Sequence, residues 1–149
     1  MRFLHSLLIM MIGSFVIQYY IMSYIMSNDP KNIENSRGKL YISSLMACLM
    51  GLLEVFMHDH QYQTISYKYY IPISLLTGLF WYLYRYQIGV DERNYLKEMI
   101  EHHSMAILTS EKILEKSSNY KVRRLASQII NLQNQEINEM KEMAENLVK

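Results

Sequence analysis

Residues Phe3 to Met26 run for 24 positions without an Asp, Glu, Lys or Arg, longer than the roughly 20 apolar residues that carry a helix across a hydrocarbon core of about 30 Å. A chain that opens this way must bury the run in lipid or in a core large enough to hide it. The run is too long for the apolar part of a signal peptide, and no small-x-small cleavage site follows it. It reads as a spanning helix. The mean hydropathy of -0.07 hides this, because it averages an apolar first part with a polar second part.

The polar stretch Asn28 to Lys39 contains Asp29-Pro30 and Gly38 and breaks the helical pattern. A second apolar run follows at 40–57, interrupted only by Glu54, and a third at 69–86 after a polar connection from His58 to Lys68. Tyr69, Tyr70, Trp81, Tyr82, Tyr84 and Tyr86 gather towards the ends of the third run, as aromatic belts do at bilayer interfaces. Pro72 is expected in its first turn, where the missing N–H costs little. The expected architecture is all-α: a membrane anchor at 1–90 with three transmembrane helices, about 3–26, 40–57 and 69–86, and a second domain at 91–149. Three spans put the two chain ends on opposite sides. Lys31, Arg37, Lys39, Arg85 and Arg93 on one face against Arg2 and Lys68 on the other lean towards a cytoplasmic tail.

From Asp91 the pattern changes to amphipathic helices. Leu96, Met99, Ile100, His103, Ile107, Ser110 and Leu114 recur at three-four spacing. Val122, Leu125, Ala126, Ile129, Gln133, Glu136, Ile137, Met140, Ala144 and Leu147 do the same. Ser117-Ser118-Asn119 is the turn between them, and so short a connection predicts an antiparallel helical hairpin. Two helices enclose little core, so association with a second copy or with further helices is expected. Formal net charge is +1, and no basic patch marks a nucleic-acid partner. The single cysteine, Cys48, lies in an apolar stretch and permits no intramolecular disulfide.

Met99-Ile100-Glu101-His102-His103 places a thioether one turn before a pair of imidazoles, and His103 interrupts the apolar stripe. Gln133 and Glu136 interrupt the stripe of the second helix, with Met140 one turn on. Buried polar groups need partners. Counting about 1.5 Å per residue from a turn at Ser118 brings His103 level with Gln133, and Met99 level with Glu136. These residues can line one pocket, whether as a hydrogen-bonded helical interface or as a ligand set. Thioether, imidazole and carboxylate together suit a soft metal such as Cu(I). Di-iron sites built on Glu-x-x-His and zincin sites built on His-Glu-x-x-His are excluded, since neither motif is present. No nucleophile-base pair or phosphate-cradling loop is visible, so an enzyme is not expected. A second line of candidates runs along the second span: Met46, Met50, Glu54, Met57 and His58 share a helix face, and an intramembrane Glu invites a functional reading. Snorkelling of Glu54 and ordinary packing of the methionines account for the same pattern.

Met99-Ile100-x-His102-His103-x-x-Ala106-Ile107, followed by Leu125-Ala126-x-x-Ile129-Ile130-x-x-Gln133-x-x-Glu136-Ile137-x-x-Met140, resembles the domain-of-unknown-function 305 (DUF305) family over roughly residues 91 to 147. The resemblance implies a ferritin-like four-helix bundle completed by pairing two hairpins as a homodimer. It also implies copper binding linked to copper tolerance, on a bacterial cytoplasmic membrane. The expected ligands are Met99, His102, His103, Glu136 and Met140, with Gln133 and Met105 in support, and affinity should fall in acid because ligation needs a neutral imidazole. Two positions depart from the family pattern: Glu101 stands where Pro is frequent, and Met105 where a Gly is expected. A copper-tolerance role suits the outer face of the membrane, against the lean of the charges. The rival expectation is a membrane-anchored interaction module whose polar cluster sets helix register without metal.

Overall fold

The computed structural model describes residues 2 to 147, and all of their regular secondary structure is helical. The described residues fall into two units, residues 2–21 with 37–89 and residues 22–36 with 90–147.

The first unit holds α1 (Arg2–Val16), a π-helical turn at Ile17–Ile21, α3 (Arg37–Tyr62) and α4 (Tyr67–Arg85). Helix α3 packs on both α1 and α4. Leu7, Cys48, Val55 and Ile73 are buried at their contacts, flanked by Phe3, Met11 and Leu52. The fit is closest at Gly51, where an added Cβ would lie 2.9 Å from the Met11 side chain. The absence of a side chain there lets α1 approach. The connection after α3 is organised by buried Asp59, which accepts from the Ser66 N–H at 2.6 Å, the Ser66 hydroxyl at 2.8 Å and the Thr64 hydroxyl at 3.1 Å. Helix α3 therefore does not stop at Met57 but continues through His58 to Tyr62.

Two helices, Phe3–Met26 and Arg37–Tyr62, are long and apolar enough to cross a membrane. Only 6% of the apolar window of the first and 28% of the second is buried inside the chain. Core helices of a water-soluble protein would be mostly covered; these leave Ile9, Ile12 and Phe56 exposed. The expectation of three spans is corrected to two candidate helices. The third run does form a helix, but Tyr67–Arg85 carries Lys68, Arg85, five tyrosines and Trp81 within 19 residues, and its polar ends cancel its apolar middle. Because α4 starts two residues before the expected boundary, Pro72 lies inside the helix, where its ring removes the N–H that would meet the Lys68 carbonyl.

The second unit holds α2 (Met22–Met26), a 3-10 turn at Pro30–Asn32, α5 (Glu92–Lys116) and α6 (Tyr120–Asn146). Residues 22–36, read from sequence as part of the anchor, cluster here with the tail helices. Asp91 caps α5 by accepting from the Asn94 N–H at 2.8 Å, and Asn119 caps α6 by accepting from Lys121 at 2.9 Å and Val122 at 3.3 Å. Such caps satisfy the orphan N–H groups of a first turn. Helices α5 and α6 pack along each other around Leu96, Ile100, Ile107, Ile137 and Met140, with Met99, Ile130 and Ala144 at the edge. Close to the connection, the Arg123 guanidinium donates to the carbonyls of Leu114 and Ser117. The apolar stripe of α6 is wider than α5 covers: Val122, Leu125, Leu132, Met143 and Leu147 stay exposed.

Candidate metal centre

The 22–36 segment lies on α5 as a strap. Ser104, fully buried, donates to Asn28 Oδ1 at 2.7 Å and accepts from the Asn28 N–H at 3.1 Å, with the Ser27 hydroxyl 2.5 Å away. Three residues earlier, buried Glu101 accepts from the Glu34 N–H at 3.2 Å. Lys97 pairs with the Glu34 carboxylate at 3.5 Å, and Lys141 donates to Asn32 Oδ1 at 2.6 Å. Glu101 thus has a structural use that a proline at this position could not serve. Sequence reasoning missed this set. Its only trace was the polar line Lys97, Glu101, Ser104 beside the apolar stripe of α5.

About 100° round α5 from Ser104, His103 is held at both ring nitrogens. Its Nδ1 lies 2.8 Å from the Met99 carbonyl and its Nε2 lies 2.9 Å from Glu136 Oε2. A carbonyl oxygen only accepts, so Nδ1 carries a proton. The close Nε2–Oε2 approach then needs a second proton between them, on the imidazole or on the carboxyl. The Gln133 amide donates to the same Oε2 at 3.3 Å. His103 therefore meets Glu136 directly, one turn beyond the Gln133 expected opposite it, and all three groups gather at one place. The ring is 16% exposed and the carboxylate 38%, so the pair lies at a surface and not in a sealed core.

The other expected ligands are distributed differently. His102 is exposed and points away from this pair by its position on the helix, about 100° from His103. Met140 is buried in the apolar cluster and Met99 packs against it, while Met105 is partly buried. Among the described residues, no group of three or more His, Cys, Asp or Glu side chains comes together.

Along α3, Met46 and Met57 are exposed and Met50 is partly buried. Glu54 accepts from the Ser6 hydroxyl of α1 at 2.7 Å. The His58 ring lies against Phe3 in a tilted arrangement, with centroids 3.9 Å apart, and its Nδ1 lies 3.0 Å from Asp59 Oδ1. Glu54 and His58 each have a partner of their own, and among the described residues no group of three acidic, His or Cys side chains joins them.

A family described as "Domain of unknown function (DUF305)" matches residues 85–146. The uncharacterized protein L153 of Acanthamoeba polyphaga mimivirus is 33% identical over 135 residues, covering 90% of this chain and 88% of that protein. No solved structure matches. The His pair, the Gln-x-x-Glu string and the helices that carry them all lie within the matched residues, and the chain belongs to the DUF305 family.

Proposed function

We propose that this is a membrane-anchored metal-binding protein whose DUF305 domain takes up copper as Cu(I) and buffers it or hands it on. The observation that carries the reading is the orientation of His103. With Nδ1 committed to the Met99 carbonyl, the lone pair available to a metal is on Nε2, which faces the carboxylate of Glu136, and fixing the tautomer through the second nitrogen is how metal-binding histidines are prepared. The donor types fit a soft or borderline ion: imidazole from His103, carboxylate from Glu136, and thioethers from Met99, Met140 and Met105 within the same helices. One nitrogen and one oxygen do not fill a coordination shell. The reading therefore includes a second copy of the chain, two helical hairpins forming a ferritin-like bundle, with the exposed Leu125, Leu132 and Met143 and His102 turned towards the partner. The anchor is proposed to lie in a lipid bilayer. The similar chain is viral, so the bacterial membrane of the sequence reading is not carried forward.

The test is a Cu(I) titration of the full chain in detergent under reducing conditions, against a chelator of known affinity. Binding near one ion per chain or per pair of chains, abolished in the His102→Ala/His103→Ala variant, is expected; no binding tighter than micromolar removes the proposal. The full chain is required because the strap belongs with the tail helices.

A second reading is favoured by the lack, among the described residues, of a cluster of three acidic, His or Cys side chains. Here the His103–Glu136 pair fixes the register of helix association, and metal changes neither thermal stability nor oligomeric state.

A further inference from the structure

Between the strap and the start of α5 and the end of α6 lies a groove of about 490 Å³, within the size range of small-ligand sites. Arg93 and Lys97 of α5 and Lys141 of α6 line it, together with the apolar side chains of Ile100 and Ala144. Glu34 and Glu145 are the acids of the lining, so the cations exceed them by one. Their pairing makes the imbalance local. Glu34 is engaged by Lys97 at 3.5 Å. Lys141 spends its hydrogen bond on the neutral amide oxygen of Asn32 at 2.6 Å, and among the described residues Arg93 meets no carboxylate within ion-pair distance. Lys97 and Glu34 are 26% and 29% exposed, so they are held against the groove rather than swinging in solvent.

We infer that this groove binds a phosphate group carried on an organic body. Three cations arriving from two helices suit a tetrahedral oxyanion, and the guanidinium of Arg93 can meet two of its oxygens at once. The volume exceeds that of a bare phosphate, and Ile100 and Ala144 supply an apolar floor for the remainder of the ligand. The strap makes the site: Asn32 positions the Lys141 ammonium and Glu34 positions that of Lys97. This inference is independent of the metal reading, since none of its charged groups contacts His103 or Glu136.

The experiment uses the full chain in an uncharged detergent, following thermal unfolding against inorganic phosphate, glycerol phosphate and micelles doped with short-chain phosphatidylglycerol, with chloride at equal ionic strength as reference. Phosphate compounds should raise the transition temperature where chloride does not. Arg93→Gln should weaken the apparent affinity about tenfold or more, as expected for loss of a charge-assisted contact, and Glu145→Gln should strengthen it. Opposite responses of two charge-neutralising variants cannot come from a merely structural role. Lys112→Gln, which removes a cation outside the groove, should leave the response intact. A shift at lower concentration with phosphatidylglycerol assigns the source to a lipid headgroup; a shift at lower concentration with glycerol phosphate assigns it to a free ester. The inference is overturned if no phosphate compound shifts the transition beyond chloride, or if Arg93→Gln responds as the parent does. Arg93 is exposed, so its variant is expected to fold, and circular dichroism checks that it has.

Discussion

The two units combine apolar and polar contacts in different proportions. In the first, the helices meet through an apolar contact, Leu7 and Met11 against Cys48 and Gly51, to which scattered hydrogen bonds such as Ser6 to Glu54 and Tyr41 to the Ile88 carbonyl are added, while the Asp59 cluster acts within a few residues of itself. In the second, hydrogen bonds join segments as far apart as Ser27 and Ser104, separated by 77 positions, and Asn32 and Lys141, separated by 109. The difference fits the proposed surroundings of each part. With the anchor in the proposed bilayer, helices that expose Ile9 and Phe56 are stabilised by packing and by an apolar solvent, whereas a helix pair proposed to lie in water draws on apolar burial and on polar partners it need not leave unsatisfied.

The largest effect should separate the two regimes. Ile107 and Val55 are both fully buried. Ile107→Ala should cost about 2–5 kcal/mol, the usual range for a large-to-small change in an aqueous core. If the anchor lies in the proposed bilayer, Val55→Ala should cost less per methyl group removed, because lipid solvates an exposed side chain about as well as its neighbours do. Thermal or denaturant unfolding of each variant in the same detergent gives both numbers, and equal losses per methyl group would remove the contrast.

Next comes the strap. Ser104→Ala removes the hub that Ser27 and Asn28 share and should cost about 1–3 kcal/mol, the penalty of leaving buried groups unpaired. Amide exchange should rise at Asn28 and Glu34 while the α1–α3 contact keeps its protection. Unchanged exchange in the strap would mean that these bonds do not hold it.

Much of this could be read in the sequence, and the gaps have physical causes. The run Phe3–Met26 was legible because charge-free length is a global property of a segment, and the tail helices because three-four apolar spacing recurs on both sides of the Ser117-Ser118-Asn119 turn; the Asp91 and Asn119 caps were found only in the structure. The His103–Glu136 meeting was legible to within a turn, since the connection Ser117–Asn119 limits the register. The strap was not. Ser27-Asn28-Asp29-Pro30 is a stretch of turn-forming residues, and nothing local in it shows that its hydroxyl and amide have partners in α5. Nor did periodicity show that α4 would fall short as an apolar span: the uncharged middle gave the signal, and the tyrosines and flanking cations outweighed it.

Smaller in stability, though larger in function under the metal reading, is His103→Ala. The ring is mostly covered but its partner Glu136 is 38% exposed, so water can take over the carboxylate and the stability loss should stay near 1 kcal/mol. Cu(I) affinity should fall by at least about tenfold to a hundredfold, the scale found even for groups one step removed from a metal. Competition titration of the variant decides it, and an unchanged affinity would leave the interaction-module reading in its place.

The smallest effect is expected at Gln133. Its amide reaches Glu136 Oε2 through a single 3.3 Å bond, and the site is open enough for water to replace it, so Gln133→Ala should change stability by no more than about 0.5 kcal/mol. Its effect on metal is a different matter, because the amide helps to hold the carboxylate that faces His103. If Glu136 is a ligand, losing that hold should weaken Cu(I) binding several-fold with stability unchanged. If Glu136 only sets helix register, the variant should bind metal as the parent does and instead alter the oligomeric state. A change that is nearly silent in folding therefore separates the two readings of the His103–Glu136 pair, and sedimentation of the variant with and without Cu(I) reads both outcomes in one experiment.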